Sequence, residues 1–402
     1  MINKIKISNF CSIGKEQTLS FEISSKDRLD DSSVEMKNKN INLVNCIIGH
    51  NASGKTTAIK AIAFLFWLMG DSYSSMKMDE DIPVEPHKLQ KKKITKIEVE
   101  FIKDNSFFQY KVELDHKQIH KEFLGEKISR GYSRIFEYSR NKDDWDFKPS
   151  KITINENDLS RFKKRRNVSV FSSLIELGYL TNLSFIKDFS TNVTNVGNYT
   201  QHPILSFFDV SKSLHESREL QKSALSFIED IDIGISSFSF SEAVRIKDGK
   251  ALEDEKRHFL ECVHESKLGK FKLPLIEESN GTRHSLQLLI EILPVLKNGG
   301  VAVIDEIESG LHPYVAKKII SLFESKKSNP LNSQLIFSTH QHTLLNDRTK
   351  TQIFIAEKHS ENFETEIFRL DDVEGVRNDD NFFNKYLTGT YGGIPHIQWV
   401  DA

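Results

Sequence analysis

The fold of this chain is decided by residues 49–56, which read GHNASGKT. Two glycines with four residues between them are followed directly by Lys55 and Thr56. Glycine backbones let successive N–H groups turn inward around a phosphate, and a helix that starts there directs its positive end at the same anion. We expect Lys55 to reach the outer phosphates of a nucleotide and the Thr56 hydroxyl to ligate Mg²⁺. The alternative is an ordinary glycine-rich turn.

The residues on both sides of this loop favour the phosphate-binding interpretation. The apolar run at residues 41–48 predicts a strand buried on both faces, and residues 56–69 predict a buried helix. A strand, a glycine loop and a helix in that order form the unit expected around a phosphate loop. The predicted nucleotide-binding residues of this segment are Gly49, Asn51, Ser53, Gly54, Lys55, Thr56 and Thr57.

A second motif is the apolar run Val301–Ile304, which ends in Asp305 and Glu306. A buried strand that ends in two carboxylates is costly unless a cation lies there. We expect Asp305 to hold Mg²⁺, directly or through water, and Glu306 to polarise a water for attack on the γ-phosphate. Taken alone, the segment is also compatible with a strand that runs into a solvated turn.

Two weaker motifs complete the set. His340 ends the apolar segment 334–340, and at such a strand end it would contact the γ-phosphate or the attacking water; a capping or core histidine is the alternative. Before a predicted helix, Ser279 and Gly281 would offer a hydroxyl and backbone N–H groups to an anion. A simple helix N-cap remains the other interpretation of Ser279.

Composition excludes several classes of protein. The chain has 402 residues, and its 55 Lys and Arg nearly balance its 57 Asp and Glu, for a net charge of -2. A strongly basic nucleic-acid-binding coat and an acidic tail are therefore excluded as global features. Three widely spaced cysteines favour a reducing compartment. Without a signal core or a run long enough to span a bilayer, the chain is predicted to be soluble and cytoplasmic, with no membrane partner.

The patterns predict an α/β fold with three parts. Residues 1–155 form an N-terminal lobe with the phosphate loop and an antiparallel β subdomain, because alternating stretches follow one another between residues 94 and 138. Residues 156–255 are predicted to be a mostly helical insertion. Residues 256–402 form a C-terminal lobe in which strands alternate with helices, as in a parallel sheet.

The motifs in this order resemble the ATPase heads of the ABC superfamily, and more narrowly its SMC/RecF/OLD-like branch. The C-terminal half resembles the AAA15-type (RloA/AbiL-like) ATPases of prokaryotic anti-phage defence systems. The resemblance covers residues 1–70 and 260–397. Besides the phosphate loop, it rests on the motifs at residues 278–283, 304–313, 334–340, 353–358 and 386–395.

The resemblance implies an ABC-type P-loop ATPase head, with a mixed sheet, that forms a homodimer or higher oligomer around ATP and Mg²⁺. The phosphate loop of one subunit would hold the nucleotide, and Ser279 and Gly281 of the other would close on its γ-phosphate. Asp305 would serve Mg²⁺, Glu306 the water, and His340 the γ-phosphate as a switch. Such an ATPase would restrain or release a separately encoded effector, a nuclease or toxin, in anti-phage defence.

Other interpretations stay open. The runner-up is a RecF/SMC-like DNA-binding ATPase in repair, and a third is a nucleotide-sensing scaffold with negligible turnover. Basic runs at residues 88–96 and 161–166 would contact nucleic-acid phosphates or be solvated turns. Gln201 and Gln221 are weak candidates for the glutamine that links nucleotide to Mg²⁺ in this superfamily. The glycine-rich segment 386–395 is either a cap packed on the core or an element that docks a partner.

Overall fold

The computed structural model describes residues 1–24, 31–141, 144–150, 152–188, 190–192, 207–231, 234–247 and 250–395. The strands are β1 (Ile2–Ser8), β2 (Gln17–Ser20), β3 (Glu22–Ile23), β4 (Ser33–Met36), β5 (Lys39–Asn42), β6 (Val44–Ile48), β7 (Thr95–Lys103), β8 (Ser106–Leu114), β9 (Ile119–Lys127), β10 (Tyr132–Asn141), β11 (Asp144–Pro149), β12 (Ser190–Asn192), β13 (Ile235–Lys247), β14 (Lys250–Ser266), β15 (Gly269–Pro274), β16 (Val301–Ile304), β17 (Gln334–Thr339), β18 (Ile353–Lys358) and β19 (Thr365–Arg369).

The helices are α1 (Lys55–Gly70), α2 (Ser72–Ser75), α3 (Glu156–Lys164), α4 (Val170–Glu176), α5 (Phe207–Glu216), α6 (Arg218–Asp230), α7 (Asn280–Asn298), α8 (Pro313–Glu324) and α9 (Phe382–Leu387). Short 3-10 turns cover Thr181–Asp188, Leu275–Glu277, His342–Asp347, Lys350–Gln352 and Leu370–Asp372. No helix in these described ranges is long and apolar enough to cross a bilayer.

The N-terminal lobe is built on a seven-stranded antiparallel sheet in the order β11-β10-β9-β8-β7-β1-β2. The alternating sequence of these strands places one side chain in two towards the core, as a half-buried sheet requires. Asp104 and Asn105 connect β7 to β8 with φ values of 47° and 59°. These residue types tolerate the left-handed conformation that a tight hairpin needs.

The phosphate loop follows the central strand of a second, six-stranded sheet in the order β12-β16-β17-β6-β18-β19. All neighbouring pairs are parallel except β18 with β19. All five residues of β6 are buried, as expected for a parallel strand covered on both faces. The carboxyl ends of β6, β16 and β17 therefore meet at one edge of the sheet, where ligands bind in such folds.

The described helices of the segment predicted as a helical insertion pack into two different apolar cores. Buried side chains of α3 and α4, including Phe162 and Phe171, belong to the apolar core of the N-terminal lobe. Those of α5 and α6, including Val210 and Phe227, belong to the core around the parallel sheet. Strand β14 crosses residue 255, where the sequence suggested a boundary, and it pairs with β13 on both sides of that position, with a shift of register between Leu252 and Arg257.

Gln334, the first residue of β17, connects the lobes. Its Oε1 accepts a hydrogen bond from the Ile2 N–H at 2.8 Å, and its Nε2 lies 3.2 Å from the Ile2 carbonyl and 3.0 Å from the Asn42 carbonyl. The side chain is fully buried. One amide thus satisfies backbone groups of the first strand of the antiparallel sheet and of the segment that leads into β6.

Candidate functional site

The loop between β6 and α1 has a backbone that needs its glycines. Ala52 and Gly54 have positive φ values of 64° and 112°. A Cβ at Gly54 would lie 2.1 Å from Thr365 Oγ1, and one at Gly49 would lie 2.3 Å from the Ala356 carbonyl oxygen. Neither approach is possible for a side chain, so close packing against β18 and β19 selects glycine at both positions, and at Gly54 the positive φ favours glycine as well.

Lys55 is the first residue of α1 and is only 4% exposed. Its Nζ donates to the Gly49 carbonyl at 2.8 Å and to the carbonyl of the next residue at 3.1 Å. Burial lowers the pKa of Lys55 to about 8, although the carboxylates of Asp305, Glu306 and Glu308 act in the opposite direction. The ammonium group therefore lies inside the loop and beside three acidic side chains.

Asp305 follows β16 and is 2% exposed. Its Oδ1 accepts hydrogen bonds from Ser338 Oγ at 2.5 Å and from Thr56 Oγ1 at 3.3 Å. Its Oδ2 is buried and has no hydrogen-bond partner among the described residues. A buried carboxylate oxygen without a donor is costly unless a cation compensates for it. Together with the Thr56 hydroxyl it forms the hard oxygen donor set that Mg²⁺ prefers, so the residues fit this metal.

Glu306 leaves the strand with a φ of 50°, which is unusual for a residue with a side chain. Its N–H donates to Ser338 Oγ at 2.8 Å, which fixes this turn. Its Oε1 lies 3.6 Å from Nε2 of His340, and Nδ1 of the same ring lies 3.5 Å from Lys55 Nζ. The turn therefore separates the two adjacent carboxylates: Asp305 lies buried beneath the loop and Glu306 faces His340.

Glu308 and Ser338 are site residues that sequence reasoning did not place at the nucleotide; the resemblance implied for Glu308 only a place in a dimer-contact loop. Glu308 accepts hydrogen bonds from Thr339 Oγ1 at 2.7 Å and from the His340 N–H at 2.5 Å, and thereby fixes the position of the histidine. Ser338 contacts both Asp305 and the Glu306 N–H, as described above. The only sequence signal for Ser338 is its place in the motif that ends at His340.

A cavity of about 750 Å³ lies over the phosphate loop. Among the predicted residues, those lining it are Asn51, Gly54, Lys55, Thr56, Thr57, Glu306 and His340. Gly49, Ser53 and Asp305 do not line it: Gly49 and Ser53 shape the loop from behind, and Asp305 lies below Thr56. A volume of this size accommodates a nucleotide.

The far side of the cavity comes from segments that sequence reasoning missed. Cys11 and Ser12 follow β1, residues 85–89 precede β7, and Phe363 lies between β18 and β19. Phe363 is 62% exposed, so one face of its ring is available to a ligand. Apart from Lys88 and Leu89, which begin the basic run 88–96, no motif indicates these positions, because they meet only in the folded chain.

Ser279 and Gly281 do not reach this cavity; none of the described residues that line it comes from the start of α7. Ser279 Oγ accepts the Thr282 N–H at 3.1 Å, so it is the N-cap that the sequence left as an alternative. It is also exposed. Of the two candidate glutamines, Gln201 lies outside the described residues, and Gln221 lies on α6, away from the cavity.

Comparisons with known proteins agree with this geometry. Residues 44–346 match the family model described as "AAA domain, putative AbiEii toxin, Type IV TA system". No curated protein has a significant match to the chain. The matched range contains the phosphate loop, Ser279, Asp305 and His340.

Among solved structures, an SMC head bound to the C-winged helix domain of ScpA has 13% sequence identity and a TM-score of 0.47, and the match covers 93% of this chain and 99% of that chain. The SMC head domain from Thermotoga maritima has 13% identity and a TM-score of 0.41, with 92% and 98% covered. An Smc head domain with an extended coiled coil, bound to the C-terminal domain of ScpA derived from Pyrococcus furiosus, has 13% identity and a TM-score of 0.42, with 92% and 97% covered.

The family match spans most of the chain, and the structure has a parallel sheet with a phosphate loop after its central strand, as in P-loop nucleotide-binding folds. The expected mixed α/β fold with a phosphate loop is confirmed, whereas the ABC superfamily and the narrower AAA15 subtype stay predictions. Members of such families are ATPases in general. The chain belongs to the family of AAA domains that this model describes.

Proposed function

We propose that this protein binds ATP in the cavity over residues 49–56 and hydrolyses it to ADP and phosphate. The observation that carries the proposal is the meeting of Lys55, Thr56, Asp305 and Glu306 at one sheet edge, with an unpaired buried oxygen on Asp305. A buried ammonium group beside a buried carboxylate oxygen without a donor suits a triphosphate and its cation better than it suits a structural ion pair.

Different residues of the chain would bind the phosphates, hold the metal and activate the water. The loop N–H groups and the start of α1 bind the phosphates, and Lys55 exchanges its two loop carbonyls for the outer phosphates. Thr56 and Asp305 would hold Mg²⁺, which neutralises charge on the phosphates. Glu306 accepts a proton from the attacking water, and His340, 3.6 Å away, contacts the γ-phosphate.

A direct test is ATP turnover by the purified protein, measured as phosphate release. Lys55→Ala should weaken ATP binding strongly and abolish turnover, whereas Glu306→Gln should bind ATP normally and turn it over about a hundredfold or more slowly, the usual contribution of a general base. Lys121→Ala, on the exposed surface of β9, is the control and should behave as wild type. Wild-type turnover in either site variant would contradict the residue assignment.

We further propose that two copies assemble around ATP and that Ser279 and Gly281 complete the partner's cavity. The support is geometric: Ser279 is exposed at the start of α7, a helix of 19 residues, and does not reach its own cavity. The N-terminus of a long helix is a favourable position for the γ-phosphate of a facing subunit.

Mixing two inactive variants tests this assembly. Lys55→Ala inactivates the phosphate loop, and Ser279→Arg blocks the start of α7. In a dimer with one copy of each variant, the intact loop of one subunit faces the intact helix start of the other, so one of the two composite sites is functional. Random pairing makes half the dimers mixed, and we expect about a quarter of wild-type turnover in the mixture. Turnover that stays at the level of the separate variants, although both are folded, would show that Ser279 does not act across subunits.

We propose that the ATPase restrains or releases a separately encoded effector, a nuclease or toxin, in anti-phage defence within the cytoplasm. The family description, with its type IV toxin–antitoxin term, supports a role of this kind. The experiment is co-purification with the product of a neighbouring gene, with and without ATP, followed by phage challenge of cells that carry both genes. Protection that persists in Glu306→Gln and Lys55→Ala cells would contradict a role for the nucleotide.

DNA binding is the second candidate function, and one surface favours it. Lys15, Lys92, Lys93 and Lys96 line a groove of about 560 Å³ beside β1 and β7. The other basic run is less available, because Arg165 donates to the carbonyls of Tyr73 and Met76. Duplex binding that weakens steeply with salt and is lost in Lys92→Glu/Lys93→Glu would support this function; no binding at low salt would remove it.

A further inference from the structure

The glycine-rich segment 386–394, called here the C-terminal tract, contacts the phosphate loop directly. Its Gly393 carbonyl accepts the His50 N–H at 2.8 Å and the Tyr386 hydroxyl at 2.7 Å. His50 is the residue that follows Gly49 at the start of the loop. One carbonyl oxygen therefore uses both of its acceptor positions to join the tract to itself and to the loop.

The glycines of the tract are required by this close approach. Gly389, Gly392 and Gly393 have positive φ values of 74°, 76° and 72°. A Cβ at Gly392 would lie 2.2 Å from Glu357 Oε1, and one at Gly393 would lie 2.7 Å from Ile355 Cγ2. The tract thus fits between the end of β18 and the loop only without side chains at these points.

Glu357 fixes the tract from its other side. Its carboxylate accepts the Gly393 N–H, and it lies on β18, which pairs with β6. The Gly393 peptide is therefore held at its N–H by the strand next to the loop, while its carbonyl holds His50. Tyr386 is 2% exposed and packs in the core around the parallel sheet, which makes this arrangement rigid.

The contact with the C-terminal tract affects the conformation of the phosphate loop, because both backbone groups of His50 are hydrogen-bonded. Its N–H binds the tract, and its carbonyl is one of the two acceptors of Lys55 Nζ. When Lys55 moves to bind phosphate, the carbonyl loses that partner, and the bond to Gly393 remains. A loop held in its binding conformation before the ligand arrives loses less conformational freedom on binding.

We propose that the C-terminal tract is a positioning element for the phosphate loop: Tyr386 and Glu357 orient the Gly393 carbonyl, which fixes the His50 peptide for nucleotide binding. This inference rests on the proposed function, since it concerns the same site. It assigns to Tyr386 and Glu357 an effect on affinity for the nucleotide rather than on the chemical step, because neither lines the cavity.

The test compares Tyr386→Phe and Glu357→Ala with wild type by calorimetric titration of the full chain with ADP and by steady-state ATP turnover. Each variant removes one hydrogen bond of the Gly393 peptide, and we expect the Kd for ADP and the KM for ATP to rise about fivefold, the usual value of one such bond, with kcat nearly unchanged. Thr388→Ala is the control, since its exposed hydroxyl has hydrogen-bond contacts, within the part of the chain that the structure describes, only with Lys385 and Thr390.

The outcomes separate the inference from the function on which it rests. Unchanged Kd and KM in both variants would overturn the positioning role while leaving the ATPase intact. A fall in kcat with unchanged KM would also overturn it. Absence of ADP binding by the wild type would instead overturn the proposed function. If Tyr386→Phe lowers the melting temperature, Glu357→Ala, which leaves the buried ring in place, decides the question.

Discussion

Two carboxylates, one in each lobe, are almost equally buried and have opposite surroundings. Glu122, on β9 of the antiparallel sheet, is 1% exposed, and Asp305, at the edge of the parallel sheet, is 2% exposed. Glu122 accepts hydrogen bonds from the hydroxyls of Tyr110 and Ser169 and from the N–H groups of Val170 and Phe171, at 2.7–3.1 Å. Asp305 has two hydroxyl donors, both on Oδ1.

The difference in hydrogen bonding indicates that Glu122 stabilises the fold, whereas Asp305 serves the candidate site. Burial raises the pKa of Glu122, and the four donors, two of them at the start of α4, act against this rise. Protein groups alone satisfy this side chain, so it joins β9 to α4. Asp305 keeps one buried oxygen without a partner in the described chain. Such an oxygen costs stability, and a bound cation compensates for it.

The largest expected effect is a loss of stability on substitution of Glu122. Glu122→Ala leaves four buried donors without their acceptor, and we expect it to lower the free energy of unfolding by about 3–5 kcal/mol. Chemical denaturation followed by circular dichroism measures this loss. Glu137→Ala, an exposed glutamate on the neighbouring β10 with an ion pair to Arg134, is the control and should change stability by less than about 0.5 kcal/mol. Equal losses of unfolding free energy in Glu122→Ala and Glu137→Ala would show that the hydrogen bonds of Glu122 do not stabilise the fold.

The second effect is on turnover. Asp305→Asn keeps Oδ1 as an acceptor for Thr56 and Ser338 but removes the charge, so we expect ATP turnover to fall about a hundredfold, with a higher Mg²⁺ concentration at half-maximal activity. The unfolding free energy without nucleotide should stay constant or rise, because the substitution removes a buried negative charge, and a neutral amide costs less to bury than a carboxylate. A destabilised Asp305→Asn protein would place Asp305 in the same class as Glu122.

The smallest effect concerns pH. The pKa of Lys55 is about 8 in the free protein, and bound phosphates would raise it, so binding takes up a proton above pH 8. We expect ADP affinity to be nearly constant below pH 8 and to fall about tenfold between pH 7 and pH 9. Lys55→Ala should bind weakly without this dependence. A flat wild-type profile would contradict a titrating lysine at the phosphates.

Motifs predicted the part of the site that lies on regular structure. The loop after β6, the acidic tip after β16 and His340 after β17 meet because parallel strands carry their carboxyl ends to one edge. The sequence therefore placed Lys55 and Asp305 together, although 249 positions separate Thr56 from Asp305. The antiparallel order of β7 to β10 can also be predicted from the sequence, because short turns join segments in which apolar and polar residues alternate.

Other features depend on tertiary contacts that no local pattern records. Residues 85–89 reach the cavity because Glu85 O accepts the Cys11 N–H and Asn9 Oδ1 accepts the His87 N–H. Strand β12 reads Ser-Thr-Asn, which has low strand signal, and it forms by parallel pairing with β16. The helices of the predicted insertion likewise divide between two cores because each packs on an apolar face that the sheets leave uncovered, and no local sequence pattern records this.

The position of β6 has a consequence for synthesis on the ribosome. This strand needs β17 on one side and β18 on the other, and both are encoded far downstream. At a synthesis rate of about 5–20 residues per second the loop emerges roughly 10–50 s before Asp305 does, and during that interval an apolar strand lacks its neighbours. We therefore expect the nascent chain to lack the complete candidate site during that interval, and β6 to be the segment that a chaperone covers.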